Sequence, residues 1–174
     1  GDNFWLIYNA KTKEVKALNA SGRAGELATI DFYKKKGYDK IPSRGYLAAN
    51  TVPGTVSGWD AAHKYARANM SNAGLPWKDL FDSAILYSQK GFPVTASLAR
   101  WEEINVDPKD SEFRNLQRFS GFKQTYLKPD GSPYKVGEIM KLPQLANTYK
   151  LIAEKGANEF YRGSIAKKIV ADLQ

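Results

Sequence analysis

Cysteine is missing from all 174 residues. That excludes a disulfide scaffold, a thiolate metal site and a cysteine nucleophile, and it leaves the compartment open. Histidine occurs once, as His63, too few for a multi-histidine metal centre. No apolar run approaches the ~18 residues that a membrane helix requires. Gly-Thr-Val-Ser-Gly at 54–58 lacks the Lys-Ser/Thr ending of a phosphate loop, and it is not a nucleophile elbow. Internal repeats and low-complexity segments are absent too.

What is present suffices for a packed domain, or a large piece of one. Hydrophobic residues at 43%, with 13% aromatics, supply a core and exclude the composition of a disordered chain. The net charge is +8, yet the only basic run is Lys34-Lys35-Lys36. The other cations are scattered among acids and aromatics, the pattern of a solvated surface. With no zinc-finger spacing, RNA-binding aromatic motif or basic heptads, no specific nucleic-acid partner is expected. A basic helical interaction module is the competing class.

One stretch organises the rest. In Asn50–Tyr65, Pro53 pushes Val52 towards extended geometry and Gly54 admits conformations closed to other residues. Thr55 then reads as an N-cap, with Val56, Trp59, His63 and Tyr65 along one side of a helix. Gly58 inside that helix costs about 1 kcal/mol against Ala, which points to a close neighbour. His63 shares the face of Trp59 and Val56, so it reads as a hydrogen-bonded core histidine.

Before that corner, Phe4–Tyr8 and Glu14–Leu18 flank a short polar turn and predict an antiparallel hairpin. Successive apolar positions in the first strand predict cover on both faces. Ser21 or Asn19 is the expected cap of a helix over 24–36, stopped by Gly37. Arg23 would then stand at the helix start, the wrong end of the dipole for a cation. It is either a surface accident or is held for an anion.

After the corner, 67–74 reads as a polar connection. A helical stripe runs from Trp77 through Phe81 and Ile85 to Gly91, followed by extended Phe92–Val94 and a helix capped by Thr95. Phe113, Leu116 and Phe119 suggest a short helix, and Lys128–Pro133 is a strong turn. Leu142-Pro143 opens a helix with Leu145, Tyr149 and Ile152 inward. A brief helical turn over 158–163 precedes a last amphipathic helix bearing Ile165, Ile169 and Leu173. Both ends have the look of cuts, so an excised portion of a longer protein is expected. Asp31, Glu26, Glu102, Glu103 and Glu138 are candidate carboxylates, but no pair has a spacing that singles out acid–base work.

Read together, several stretches resemble the γ-glutamyltranspeptidase family of N-terminal-nucleophile hydrolases. They are Gly1–Tyr8, Val15–Ala24, Val52–Trp59, Leu75-Pro76-Trp77, Gly91–Val94 and Phe160–Ala166, in family order and spacing over nearly the whole chain. The resemblance implies a mainly α chain with an N-terminal β-hairpin, cut from an αββα N-terminal-nucleophile hydrolase. Residues 1–174 would form a single region of the large subunit, with a hairpin at 1–20 and a helical part at 21–174. The parent would transfer or hydrolyse γ-glutamyl groups of glutathione-like amides through a threonine freed by self-cleavage, which lies outside this chain. It implies no cofactor, no metal and no catalytic residue in this chain, which alone would be inactive. The implied partners are the rest of the precursor and an acyl-amide substrate.

The implied substrate-binding residues are Arg23 and Ser21. Family members that use glutathione place an arginine in this turn against the α-carboxylate of the γ-glutamyl group. Counting back from Ala28-Thr29, that position falls on Ser21, with Arg23 two residues later. A bidentate guanidinium–carboxylate contact depends on placement. Either Arg23 substitutes through a shifted loop, or the donor differs, as in the related cephalosporin and glutaryl acylases.

Overall fold

The computed structural model describes residues 1–43, 46–48, 51–70, 74–106 and 116–173. In chain order it forms β1 (Asn3–Asn9), β2 (Glu14–Ala20), α1 (Ile30–Lys35), α2 (Thr55–Asn69), α3 (Asp82–Lys90), β3 (Phe92–Pro93) and α4 (Ala96–Asn105). Then follow α5 (Ser120–Tyr126), β4 (Ile139–Met140), α6 (Pro143–Lys155), α7 (Asn158–Arg162) and α8 (Ser164–Leu173). Short 3-10 turns occupy Tyr46–Ala48, Lys78–Phe81 and Leu116–Arg118. The expected fold class, mainly α with an N-terminal hairpin, is what forms. Its β content among the described residues is two two-stranded sheets, β1–β2 and β3–β4. The chain gathers into two compact units, Gly1–Leu80 with Leu151–Gln174, and Phe81–Lys150.

In the first unit the hairpin pairs in register from Asn3↔Ala20 to Asn9↔Glu14. Helix α2 lies along it, and the two match in length. Six strand steps of about 3.3 Å and fourteen helical rises of about 1.5 Å both come to about 20 Å. The side chains at the ends of β1 exploit that match. Asn3 Nδ2 donates to the Thr55 carbonyl at 3.1 Å and Asn9 Nδ2 to the Asn69 carbonyl at 2.9 Å. Between them, Gly58 lies against the Asn3 side chain and the Ala20 methyl, where a β-carbon would collide. The expected close neighbour of Gly58 is therefore the hairpin.

Only one face of the hairpin is covered. Phe4, Leu6, Tyr8 and Val15 project away from α2, with Leu6 81% exposed. The expectation of cover on both faces is not met by any described element of this chain. An apolar face of that kind on an isolated two-stranded sheet is unusual.

Two expected helix starts are corrected. Helix α1 begins at Ile30 and not at 24, with Thr29 Oγ1 accepting from the Phe32 amide at 3.2 Å. Residues before it are committed elsewhere: Ala24 bridges Thr51, and the Val52 amide donates to the Arg23 carbonyl at 2.8 Å. Arg23 is thus on extended chain, not at a helix terminus, and the dipole argument against it does not apply. Lys34 and Lys35 of the basic run fall in the last turn of α1, the end that favours cations. Lys36 Nζ sits 5.2 Å above the Phe32 ring. For α2, Gly54 is the cap and Thr55 the first helical residue. The helix also runs on to Asn69, through part of the expected connection at 67–74.

The second unit packs Val94, Ala99 and Met140 together, with Phe92, Leu98, Tyr134 and Leu142 around them. Thr95 caps α4 as expected, its Oγ1 accepting from the Leu98 amide at 3.2 Å. The 128–133 turn also forms, closed by the Gly131 amide on the Lys128 carbonyl at 2.8 Å. Its Asp130 carboxylate takes the Ser132 hydroxyl and amide, which holds the group below the usual carboxylate range. Strand β4 and helix α5 went unforeseen. Of the Phe113–Phe119 segment, Phe113 lies outside the described residues and Leu116–Arg118 forms a 3-10 turn.

Glu102 is the anomaly of this unit. It is 3% exposed, its Oε2 accepts the Tyr134 amide at 3.2 Å, and its Oε1 has no partner among the described residues. Burial pushes its carboxyl above the ordinary range, against the smaller opposing effect of that hydrogen bond. A folded-state value raised above the unfolded one gives stability that is complete below the unfolded value and fades as pH rises through the folded one. The variant Glu102→Gln keeps an acceptor for Tyr134 and carries no charge. Its thermal midpoint is expected to exceed that of the unaltered protein at pH 8 and to converge with it near pH 4. A gap independent of pH would show that ionisation of Glu102 is not the cause.

Candidate functional site

The Ser21-Gly22-Arg23 turn leaves β2 and is pinned at every residue. Asn19 Oδ1 accepts the Ser21 amide at 2.9 Å, and Asp2 Oδ1 accepts the Gly22 amide at 2.8 Å. The Arg23 carbonyl takes the Val52 amide. Both neighbouring glycines are sterically required. A β-carbon on Gly22 would strike the Val52 carbonyl, and one on Gly54 would strike the Ala20 carbonyl. The turn and the corner that opens α2 are therefore pressed backbone to backbone.

Behind the corner stands Tyr161 of α7. Its hydroxyl donates to the Pro53 carbonyl at 2.7 Å and accepts the Ser57 amide at 2.9 Å. One phenol thus serves both a loop carbonyl and one of the unpaired amides of the first helical turn. Ser57 Oγ adds a bond to the Gly54 carbonyl at 2.7 Å. Beside it opens an apolar groove of about 660 Å³, whose lining includes Leu27, Phe32, Val52, Phe160 and Ile169.

The side chains of Ser21 and Arg23 are both exposed, on a turn whose backbone cannot easily shift. Arg23 makes no ion pair among the described residues. A guanidinium held this way offers parallel donors to a carboxylate. Within neither unit does a described contact link two of the candidate carboxylates. Glu26 and Asp31 are exposed near α1, Glu103 is exposed on α4, and Glu102 is buried. Glu138 accepts the Lys135 amide at 2.8 Å and pairs with Lys128 at 3.2 Å, which hold its carboxyl below the usual range.

His63 is half-buried rather than in the core. Its Nε2–H donates to the Leu75 carbonyl at 3.1 Å, and its ring lies 5.6 Å from that of Trp77. Trp77 Nε1 donates in turn to the Ile152 carbonyl at 3.0 Å. A cleft of about 530 Å³ there is lined by Asp60, His63, Lys64 and Arg67 among others, with Lys64 and Asp60 already paired at 2.7 Å. Histidine and tryptophan here staple the middle of α2 to the 75–77 segment.

Asp2 and Tyr161 were not singled out in the sequence. Asp2 is 20 residues from its partner and Ser57 is 104 residues from Tyr161, separations at which no local pattern speaks.

Solved structures with this architecture have been described. Helicobacter pylori γ-glutamyltranspeptidase superposes with a TM-score of 0.81 at 28% identity, over 99% of this chain and 46% of that one. A cephalosporin acylase from Bacillus halodurans gives 0.80 at 31% identity, over 98% of this chain and 30% of that one. The family model for gamma-glutamyltranspeptidase matches residues 1–174, and the chain belongs to that family. Among relatives, the glutathione hydrolase-like YwrD proenzyme of Bacillus subtilis is 38% identical over 100% of this chain. The oxamate amidohydrolase proenzyme of Klebsiella pneumoniae is 38% identical over 99%. In both cases the chain spans 30% of the relative's length. The named members of the family are enzymes.

The steric claim is open to test by denaturant unfolding. Gly22→Ala and Gly54→Ala should each destabilise by roughly 1–3 kcal/mol, because the neighbour that must yield is backbone. Gly121→Ala, with nothing within 4 Å of the added carbon and a place in helix α5, should be neutral or stabilising by up to about 1 kcal/mol. Equal responses at all three positions would remove the argument.

Proposed function

We propose that this chain is part of the large subunit of an autoprocessed γ-glutamyltranspeptidase-like precursor. That precursor takes the γ-glutamyl group of a glutathione-like amide onto an N-terminal threonine beyond this chain and passes it to water or an amine. The observation that carries the reading is a family match over all 174 residues, joined to an arginine presented on a fixed turn. The bare apolar face of the hairpin supports the same view: Phe4, Leu6 and Tyr8 await cover from the rest of an αββα sandwich. In this reading residues 1–174 act as one region, completed by the remaining precursor.

Arg23 binds the α-carboxylate of the donor, and Ser21, two residues before it in the turn, stands at the position where glutathione-using relatives carry their arginine. Catalytic groups and the oxyanion hole lie outside the chain, so residues 1–174 alone should release no product from a γ-glutamyl anilide. A second reading has specific support. An oxamate amidohydrolase proenzyme is as similar in identity as a glutathione hydrolase-like one, and a cephalosporin acylase superposes nearly as well as a transpeptidase. The donor is then another acyl amide, and Arg23 meets a carboxylate placed differently on it.

Arg23→Ala in the full-length enzyme distinguishes these. Under the first reading kcat/KM for γ-glutamyl donors falls at least about tenfold, equivalent to ~1.4 kcal/mol, while donors lacking the α-carboxylate are affected far less. Ser21→Ala should cost less, about two- to fivefold. Equal losses on both donor types would indicate packing, and no loss would leave Arg23 a solvated cation.

A further inference from the structure

The turn that presents Arg23 is fixed from both ends of the chain, and neither fixing residue touches the guanidinium. At the N-terminal end, the Asp2 carboxylate accepts the Gly22 amide at 2.8 Å, the one backbone donor between Ser21 and Arg23. At the C-terminal end, Tyr161 holds the Pro53 carbonyl and the Ser57 amide. Its bond to Pro53 sets the position of the preceding residue, Val52, whose amide donates to the Arg23 carbonyl. The Val52 carbonyl meanwhile fills the space beside Gly22. Any shift of the corner therefore shifts the arginine backbone with it.

We infer that Asp2 and Tyr161 are positioning residues that clamp the Ser21–Arg23 turn and so set the placement of the Arg23 guanidinium towards a donor carboxylate. The inference rests on the assignment of Arg23 proposed above and goes further in naming what fixes its register. A flexible arginine loses the directional advantage of two parallel hydrogen bonds, while a preorganised one retains it. The clamps act through hydrogen bonds to backbone at 2.7–2.9 Å: Tyr161→Phe removes both bonds of the phenol while keeping the ring, and Asp2→Asn beside Asp2→Ala separates loss of the acceptor from loss of the charge.

The test uses the full-length processed enzyme and two donors, a γ-glutamyl anilide and the 4-aminobutanoyl anilide that lacks only the α-carboxylate. Tyr161→Phe and Asp2→Ala should each lower kcat/KM for the γ-glutamyl donor at least fivefold, mainly through KM, and alter the other donor less than twofold. Asp2→Asn, which keeps an oxygen acceptor for Gly22, should stay within twofold on both. Equal losses on the two donors, or none, would overturn the clamp, as would Asp2→Asn behaving like Asp2→Ala. Should Tyr161→Phe fail to fold, the Asp2 pair decides alone. Arg23→Ala runs alongside. If it does not discriminate between donors, the carboxylate assignment fails and the clamp with it. If it discriminates while the clamp variants do not, only the clamp fails.

Discussion

Everything in the first unit depends on a close crossing of backbone on backbone. The end of the hairpin and the entry to α2 approach each other at Gly22 and Gly54, and one turn on Gly58 lies against the Asn3 side chain and the Ala20 methyl. At Gly22 and Gly54 no side chain can intervene, and the amides and carbonyls at the crossing must find partners locally. Asn3, Asp2, Asn19 and Tyr161 provide them. The cost of glycine in a helix, about 1 kcal/mol, is offset by packing that a larger residue would forbid.

That crossing also explains why an exposed arginine can be precise. A surface guanidinium usually contributes little, because its long side chain samples many positions. Here the backbone beneath it is held at Ser21, Gly22 and Arg23, so in the proposed role only the side-chain torsions have to be ordered on binding. The apolar groove beside the turn and the bare hairpin face belong to the same unit. In the reading proposed above, the rest of the precursor covers them; the chain itself spans 30% of the length of those two relatives.

Local signals in the sequence were reliable where the physics is local. Alternation and a polar turn predicted the hairpin, Thr95 predicted its cap, and the Pro-Asp-Gly-Ser run predicted the turn at 128–133. Failures came where distant chain competes with local preference. Ala24 pairs with Thr51 across the fold, so a segment with helical spacing stays extended until Thr29 can cap a helix. Strand β4 has two residues and exists only because β3 lies beside it. The covering of both hairpin faces was inferred from apolar residues on both, but α2 reaches only one.

By itself the sequence determined the hairpin, most of the helices, the glycine-marked corner and the family, because each is written in residues close together or in motifs kept in order. It also placed Arg23 and Ser21 in one turn. The tertiary structure decided that this turn is extended rather than a helix start. It also decided that Gly22 and Gly54 face carbonyls, and that Asp2 and Tyr161 hold the corner. Those are contacts between residues 20 to 108 positions apart. No periodicity spans such a distance, and only the folded path of the backbone brings the groups within reach of a hydrogen bond.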